Sequence, residues 1–367
     1  MCFHPGVVDR TNKNTYIGGL EKWIERIGSA KCKKNILEDK WVLTPCGQCL
    51  ACRIQYAANW AARCELETNY HKQSIFLTLT YDEEHVPVLN KETGEIYRGV
   101  RNPAEYVAGV TLERMTVYKP DVQKFIKRLR KAAEKEGLTD HIMYYLSGEY
   151  GDKTGRPHYH LIVYGLEVPD AEHIGSRRGY DRFTSEWLKG IWGMGLIEIG
   201  SVTYESCQYV ARYVIKKRKG KEAKEYKDAG IMPEFVQMSL KPAIGQRYWE
   251  EHKDEIYSLD QINLASGRTV KPPRYFDKLE DQEMLMDEIG QIESLKQKFE
   301  PDCEMMPEEA ESDFMRDIKK KRRKTVLAKT EARWRATNLD LREYYEMQER
   351  NFENKNKLAK NRGIIDE

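Results

Sequence analysis

The chain has 367 residues and a net charge of only +2, and 33% of its residues are charged against 40% that are hydrophobic. This length allows one large domain with extensions or two modest domains, and the balanced charge excludes a uniformly cationic nucleic-acid coat protein. No apolar run is long enough to span a bilayer, and the first ten residues lack the basic start and apolar core of a signal peptide. We therefore expect no membrane partner and a cytosolic site of action.

The first 70 residues contain a cysteine cluster and a predicted helix over residues 53–70, and we expect them to form an N-terminal cap. Cys46, Cys49 and Cys52 follow the spacing C-x-x-C-x-x-C, which lets three thiolates bind one ion, as in structural zinc or iron–sulfur sites. The candidates for a fourth ligand are Cys2, His4, Cys32 and Cys64. Thiols packed on one helix face are the alternative, and a structural metal such as Zn²⁺ is favoured.

Alternating strands and amphipathic helices are predicted beyond residue 70. A strand begins at Ser74 in SIFLTLTYD, and a charged loop with Pro87 and Gly94 follows it. A helix is predicted over 119–137, and residues 141–151 and 156–165 form an antiparallel hairpin with a GDKTG turn. The remaining predicted elements are a helix over 184–192, a strand over 195–204 and a helix over 205–221.

This order of elements predicts an α+β fold with an antiparallel sheet, because a parallel doubly wound sheet would alternate strands and helices strictly. Residues 71–220 are expected to form the core, and residues 221–275 an extension that packs on it. From about residue 276 the chain is rich in Glu, Lys, Arg, Met and Leu and almost free of glycine. Residues 276–367 are therefore predicted to form a charged helical tail.

Two histidines, His158 and His160, are separated by one residue in a predicted strand, so their side chains emerge on the same face. Glu149 lies in the preceding strand, and the short turn can place its carboxylate opposite the histidines. Two nitrogens, one oxygen and open positions suit Mg²⁺ or Mn²⁺. The alternative is a histidine pair that only packs and hydrogen-bonds, but Glu149 on the paired strand favours the metal site.

Two tyrosines, Tyr209 and Tyr213, lie four residues apart on a predicted helix, and Lys216 and Lys217 follow them. A phenol has a pKa of about 10 and needs a polarised phosphate or a nearby cation to attack phosphorus. The spacing Tyr-x-x-Lys to Lys216 ranks Tyr213 slightly ahead of Tyr209 as the nucleophile. Core aromatic residues and a solvated helix end are the alternative interpretation.

The segments FLTLTYD, PHYHL and YVARYVIKK, in this order, resemble the three motifs of HUH-superfamily replication initiators over residues 75–220. The paired tyrosines with two lysines, together with PCGQCLACR at 45–53 and SLKPAIG at 239–245, narrow the resemblance to gokushovirus replication initiation proteins. It implies the HUH endonuclease fold, with a central five-stranded antiparallel sheet flanked by helices and with residues 71–220 as the nuclease core. It also implies that Glu149 completes the metal site and that the tyrosine helix lies across from the histidines.

The resemblance further implies a rolling-circle replication initiator, a DNA endonuclease and strand transferase that nicks single-stranded DNA at the origin. A tyrosine would form a 5′-phosphotyrosyl intermediate with Mg²⁺ or Mn²⁺ as cofactor, and later strand joining would circularise the genome. The sequence lacks the helicase phosphate-loop pattern G-x-x-x-x-G-K-[ST]. Besides viral single-stranded DNA and its origin, the expected partners are therefore a host helicase and a host DNA polymerase, in the cytoplasm of the bacterial host.

Two other functions remain open at the level of sequence. One is an HUH transposase or relaxase, which uses the same three motifs on another substrate. The other is a non-catalytic DNA-binding regulator, in which the histidines and tyrosines only fill the core.

A basic run at 319–324 is a candidate DNA-binding patch that would bind phosphates, with Trp334 downstream for base stacking. A solvated charged helix is the equally weighted alternative. The residues of the run are Lys319, Lys320, Lys321, Arg322, Arg323 and Lys324.

Overall fold

The computed structural model describes residues 2–12, 15–100, 113–139, 141–151, 154–177, 179–216, 226, 228, 230–299, 312–337 and 339–361. The chain divides into two compact units. Unit 1 consists of Met1–Arg53 and Arg274–Glu367, and unit 2 consists of Ile54–Pro273. The two ends of the chain thus pack together, whereas the sequence analysis treated the first 70 residues and the tail as separate segments.

The elements that follow are numbered in chain order. The strands are β1 (Gly6–Asp9), β2 (Thr15–Gly19), β3 (Trp41–Thr44), β4 (Ser74–Tyr81), β5 (Pro87–Asn90), β6 (Ile96–Arg98), β7 (Glu113–Met115), β8 (Met143–Tyr150), β9 (Pro157–Tyr164), β10 (Glu172–Arg177), β11 (Tyr180–Thr184), β12 (Gly195–Ser201), β13 (Phe235–Met238), β14 (Ile262–Asn263) and β15 (Thr269–Val270). The helices are α1 (Leu20–Ile27), α2 (Ser29–Leu37), α3 (Leu50–Thr68), α4 (Lys119–Glu136), α5 (Glu186–Trp192), α6 (Tyr204–Lys216), α7 (Gln246–Leu259), α8 (Arg274–Phe299), α9 (Asp313–Arg335) and α10 (Leu341–Asn361).

Unit 2 is built on an antiparallel sheet of seven strands in the order β10-β11-β12-β4-β9-β8-β13. The predicted α+β fold with an antiparallel sheet is confirmed. The expected number of five strands is wrong, because the hairpin β10-β11 extends the sheet beyond β12. β10 has mostly exposed side chains and no alternation of buried and exposed positions, so the sequence offers no strand signal there.

One face of this sheet packs against α4 and α5. Alternate residues of β9, such as Tyr159 and Leu161, join Phe125 and Leu129 of α4 and Trp192 of α5 in one hydrophobic core. Each fully buried side chain of this size stabilises the fold by roughly 1.5–3 kcal/mol. The predicted apolar stripe of α4 therefore lies on the sheet, and the helix ends at Gly137 in the left-handed conformation (φ 70°) that favours glycine.

The opposite face of the sheet contacts α3 and α6. The ring of Tyr145 on β8 lies 5.0 Å from the ring of Trp60 on α3, between centroids. The hydroxyl of Tyr164 on β9 donates a hydrogen bond to the carbonyl oxygen of Cys64, also on α3. Because strand residues alternate between faces, His158 and His160 point to this second face.

Two smaller three-stranded sheets were not predicted. The sheet β6-β5-β7 lies where the sequence suggested a charged loop around Pro87 and Gly94. The sheet β2-β1-β3 belongs to unit 1, where only a cap with one helix was expected. Strands of three to five residues are too short to show a reliable period in sequence.

The C-terminal tail is helical, as predicted, and its helices take part in the core of unit 1. Trp334 of α9 and Leu341 and Tyr344 of α10 are buried together with Val7 and Leu20. The tail is therefore more than a charged surface. None of the helices in the described ranges is both long and apolar enough to cross a membrane.

Candidate functional site

Three side chains converge on the second face of the sheet in unit 2. The register of the β8–β9 hairpin pairs Glu149 with His158 and Ser147 with His160. Oε1 of Glu149 lies 2.6 Å from Nε2 of His158 and 2.7 Å from Nε2 of His160. The structure thus brings together the carboxylate and the two imidazoles that the sequence singled out as metal ligands.

The outer nitrogens of both imidazoles also have partners. Nδ1 of His158 lies 3.1 Å from the carbonyl oxygen of Arg156, which can only accept a hydrogen bond, so Nδ1 carries the hydrogen. Nδ1 of His160 lies 3.1 Å from the hydroxyl oxygen of Thr78 on the neighbouring strand. Contacts of this kind fix the tautomer and ring orientation of metal-binding histidines. Nε2 of a neutral His158 is therefore a lone-pair donor directed at Glu149.

Glu149 is almost fully buried, with 2% of its surface exposed. Burial raises the pKa of its carboxyl group, but the hydrogen bonds and charges of His158 and His160 outweigh that effect and leave the pKa below its ordinary value. Oε2 of Glu149 is buried without a hydrogen-bond partner in the described part of the chain. A buried carboxylate oxygen of this kind, next to two imidazole nitrogens, fits a bound divalent cation.

The sheet leaves room for Glu149 through a neighbouring glycine. A Cβ at Gly148, on the opposite face of β8, would lie 2.8 Å from a ring carbon of Phe235 and 3.0 Å from one of Tyr159. A larger residue would have to displace these rings, which belong to the core beneath the site. Gly148 therefore allows the close packing of β8 that holds Glu149 opposite the histidines.

Tyr209 of α6 lies directly beside the two histidines. Its ring meets the ring of His160 edge to face, with centroids 5.0 Å apart and an interplanar angle of 80°. Phe76 of β4 stacks on the other side of His160 at 5.6 Å and also contacts Tyr209. The sequence analysis missed Phe76 and Thr78, although the alternation in SIFLTLTYD already assigns both to one strand face.

The other predicted residues of this helix cannot be placed at the site. Tyr213 and Lys216 belong to α6, but their side chains lie outside the described residues. Lys217 lies outside them entirely. The ranking of Tyr213 ahead of Tyr209 stays a prediction from sequence.

Comparison with known proteins assigns a family to this arrangement. Residues 74–218 match the family described as replication-associated protein ORF2. The chain is 35% identical over 244 residues to the replication-associated protein ORF2 of Spiroplasma virus 4, covering 65% of this chain and 68% of that protein. The chain belongs to the gokushovirus replication-associated proteins.

Two further relatives extend this assignment. The replication-associated protein VP4 of Bdellovibrio phage phiMH2K is 32% identical over 237 residues, covering 63% of this chain and 65% of that protein. The replication-associated protein ORF4 of Chlamydia phage 1 is 30% identical over 178 residues, covering 47% of this chain and 38% of that protein. No solved structure matches the chain. The matched segment 74–218 contains the acid, both histidines and both tyrosines, and the family resemblance predicted from the motifs is confirmed.

A second cluster of possible ligands lies in unit 1. The sulfur atoms of Cys2, Cys46, Cys49 and Cys52 all lie within 4.8 Å of one another. The structure thus selects Cys2 among the four candidates for the fourth ligand. Each of the other three is engaged elsewhere: His4 contacts Glu21 and Glu349 through its two ring nitrogens, Cys32 is buried in the core of unit 1, and Cys64 is buried in unit 2.

The basic run of α9 divides into two groups of side chains. Lys319, Arg322 and Arg323 form ion pairs with Asp281, Asp277 and Asp39 of the same unit. Lys320, Lys321 and Lys324 are exposed. DNA binding by this run stays a prediction, and the exposed lysines are the part that an extended phosphate backbone would meet first.

The suggested base-stacking role of Trp334 is wrong. Only 5% of its surface is exposed, and it packs in the core of unit 1. The charged sequence around Trp334 hides this burial, because one apolar residue per turn or two gives no clear stripe in such a helix.

Proposed function

We propose that the chain is a metal-dependent endonuclease that nicks single-stranded DNA at a replication origin through a tyrosine nucleophile. The observation that supports this best is the convergence of Glu149, His158 and His160 on one point, with the ring of Tyr209 beside His160. A metal ligand set and a phenol in one place are the two parts that such chemistry needs. The replication-associated relatives supply the biological context.

The ligand set favours Mg²⁺ or Mn²⁺. One carboxylate and two imidazoles leave positions open for water and for phosphate oxygens, which suits these ions. A divalent ion held by Glu149, His158 and His160 would polarise the scissile phosphate as a Lewis acid. The hydrogen bonds at Nδ1 of the two histidines keep the rings oriented for this purpose.

The nucleophile in this proposal is the phenol oxygen of Tyr209 or Tyr213. The phenol oxygen forms a bond to phosphorus while the bond from phosphorus to the 3′-oxygen breaks. The phenol loses one proton and the departing 3′-oxygen gains one, so the products are a 5′-phosphotyrosyl link and a free 3′-hydroxyl. The contact between Tyr209 and His160 supports Tyr209 as a phenol within reach of the site.

Two tyrosines on one helix fit a cycle of two cuts. The first tyrosine would hold the 5′ end while a host polymerase extends the 3′-hydroxyl and a host helicase unwinds the duplex. The second tyrosine would cut the regenerated origin, and the released 3′-hydroxyl would attack the first link and close a circle. We place this activity in the cytoplasm of the bacterial host.

The decisive experiment follows covalent attachment to DNA. The full-length protein is incubated with a 5′- or 3′-labelled single-stranded origin oligonucleotide and Mn²⁺, and the products are separated under denaturing conditions. We expect a protein–DNA adduct that requires Mn²⁺ and is lost in the variant Tyr209→Phe/Tyr213→Phe. Mass spectrometry of the adduct peptide then identifies the attacking residue.

The matched control is Tyr180→Phe, which changes an exposed tyrosine of β11 in the same unit. This variant should form the adduct as the unmodified chain does. An adduct that persists in the double tyrosine variant, or that forms equally with Glu149→Gln, would overturn the proposal.

A further inference from the structure

Strand pairing in unit 1 brings the two ends of its N-terminal sheet together at the cysteine cluster. β1 pairs with β3 in antiparallel register, so that Gly6 lies opposite Thr44. Cys2 precedes β1 by a few residues, and Cys46 follows β3 directly. Cys49 and Cys52 come next, where α3 begins. The fold itself therefore gathers cysteines from three segments that are distant in sequence.

The sulfur positions match the geometry of one tetrahedral ion. A Zn–S bond of about 2.3 Å places the sulfurs of a regular tetrahedron roughly 3.8 Å apart. Sγ of Cys2 lies 3.9 Å from Sγ of Cys49, and all four sulfurs lie within 4.8 Å of one another. A disulfide requires about 2.05 Å, so this separation is far too long for a bond.

Backbone amides also point at these sulfurs. The N–H groups of Gln48 and Cys49 donate to Sγ of Cys46, at 3.4 and 3.3 Å. The N–H of Cys46 donates to Sγ of Cys2 at 3.2 Å. Gly47 adopts φ 71°, a left-handed conformation that favours glycine and bends the chain around Cys46. Such donors disperse the negative charge of thiolates, as they do at structural metal sites.

We propose that Cys2, Cys46, Cys49 and Cys52 form a tetrathiolate site for one Zn²⁺ ion in unit 1. Four cysteines and no exchangeable position define a structural site rather than a catalytic one. A cluster of several iron atoms binds each thiolate to a different iron, and such a cluster would hold the sulfurs further apart than they are here. The site is separate from the proposed nuclease centre, whose ligands are a carboxylate and two imidazoles of unit 2.

The role of this site is to fasten the first strand of unit 1. The sheet β2-β1-β3 has strands of only four or five residues, and strands this short need additional support. A zinc ion would join the segment before β1 to the segment after β3 and to the start of α3. Removal of the metal should therefore loosen backbone hydrogen bonds within residues 6–44 before those of the large sheet in unit 2.

The experiment counts sulfur ligands around the metal in the full-length protein. Zinc content is measured after purification, and X-ray absorption at the zinc edge gives the number and distance of the neighbouring atoms. We expect one zinc per chain with four sulfur ligands. Replacement by Co²⁺ should produce intense sulfur-to-cobalt charge-transfer bands, which a carboxylate–imidazole site cannot give. Cobalt spectra therefore distinguish this site from the nuclease centre, and nicking activity is not needed for the test.

The variant Cys2→Ala should lose one sulfur ligand and bind metal at least about tenfold more weakly, since even partners outside the ligand shell contribute 10–100-fold. Cys32→Ala is the matched control, because Cys32 is a buried cysteine of the same unit that is not a ligand. A protein without a sulfur-bound metal, one that contains iron and sulfide, or an unchanged four-sulfur spectrum in Cys2→Ala would overturn the proposal. If Cys2→Ala does not fold, the sulfur count in the unmodified chain decides alone.

Discussion

The hydroxyl oxygen of Thr78 on β4 lies 3.1 Å from Nδ1 of His160 on β9. This contact orients the imidazole so that its Nε2 faces Oε1 of Glu149. Thr78→Val removes the hydroxyl and keeps the shape of the side chain. We expect the affinity for Mn²⁺ at the nuclease centre to fall by roughly 10–100-fold, the usual effect of losing a partner outside the ligand shell. Titration of the protein with Mn²⁺, followed by electron paramagnetic resonance, measures this change.

Thr80→Val is the matched control for Thr78→Val. Thr80 lies two residues further along β4 on the same face, opposite His158. Nδ1 of His158 has its contact with the carbonyl oxygen of Arg156 instead. The affinity for Mn²⁺ should therefore change little in Thr80→Val, and equal losses in both variants would contradict the orienting role of Thr78.

The geometry of the nuclease centre follows largely from local rules. His158 and His160 share a strand face because side chains alternate along a strand. The short turn between β8 and β9 fixes the hairpin register, which pairs Glu149 with His158. Both relations connect residues close in sequence, so the sequence alone predicts them.

Other features depend on contacts between distant segments. Cys2 joins the cysteine cluster because β1 pairs with β3, and nothing in the first residues announces that pairing. Trp334 is buried by packing against residues from the beginning of the chain. The strands β10 and β13 join the sheet edges through tertiary pairing rather than through a strong period of their own. Local patterns could not predict these relations.

The burial of Trp334 predicts an effect on stability. Trp334→Ala should lower the free energy of unfolding by about 3–5 kcal/mol, because it leaves a large cavity in the core of unit 1. Val326→Ala on the same helix is the control: Val326 is 61% exposed, and its loss should change stability by no more than about 0.5 kcal/mol. Chemical denaturation measures both. Similar stability of the two variants would contradict the burial of Trp334.

The exposed lysines of α9 predict a change in the salt dependence of DNA binding. Lys320→Gln/Lys321→Gln/Lys324→Gln should reduce the slope of log affinity against log salt by about 2, since each phosphate contact on a single strand contributes about 0.7. Fluorescence anisotropy with a labelled oligonucleotide at several salt concentrations gives this slope.

Arg322→Gln serves as the comparison within the same run. Arg322 forms two hydrogen bonds with Asp277 at 2.7 and 3.2 Å, so its replacement should destabilise unit 1 and leave the slope nearly unchanged. An unchanged slope in the triple lysine variant would show that α9 is a solvated helix without a role in DNA binding.

Asp170 predicts a pH-dependent contribution to the stability of unit 2. Its carboxylate accepts hydrogen bonds from the Ser185 hydroxyl and, at 2.8 Å, from the backbone N–H of Trp187, at the start of α5. Burial raises the pKa of Asp170, but these hydrogen bonds outweigh it and leave the pKa below its ordinary value of 3.8. A lowered pKa in the folded state stabilises the protein above the unfolded-state pKa, and this stabilisation is lost as the pH falls through the folded-state value.

Asp170→Asn should therefore lower the free energy of unfolding at about pH 6, by no more than about 1 kcal/mol because the carboxylate is largely exposed. The difference between the unmodified chain and the variant should shrink as the pH falls toward about pH 3. Urea denaturation across this range measures it, provided that both proteins remain folded at the lowest pH. The physical reason is that a protonated Asp170 accepts the hydrogen bonds of α5 about as weakly as a neutral asparagine. A difference that stayed constant or grew on acidification would mean that the carboxylate charge does not stabilise the start of α5.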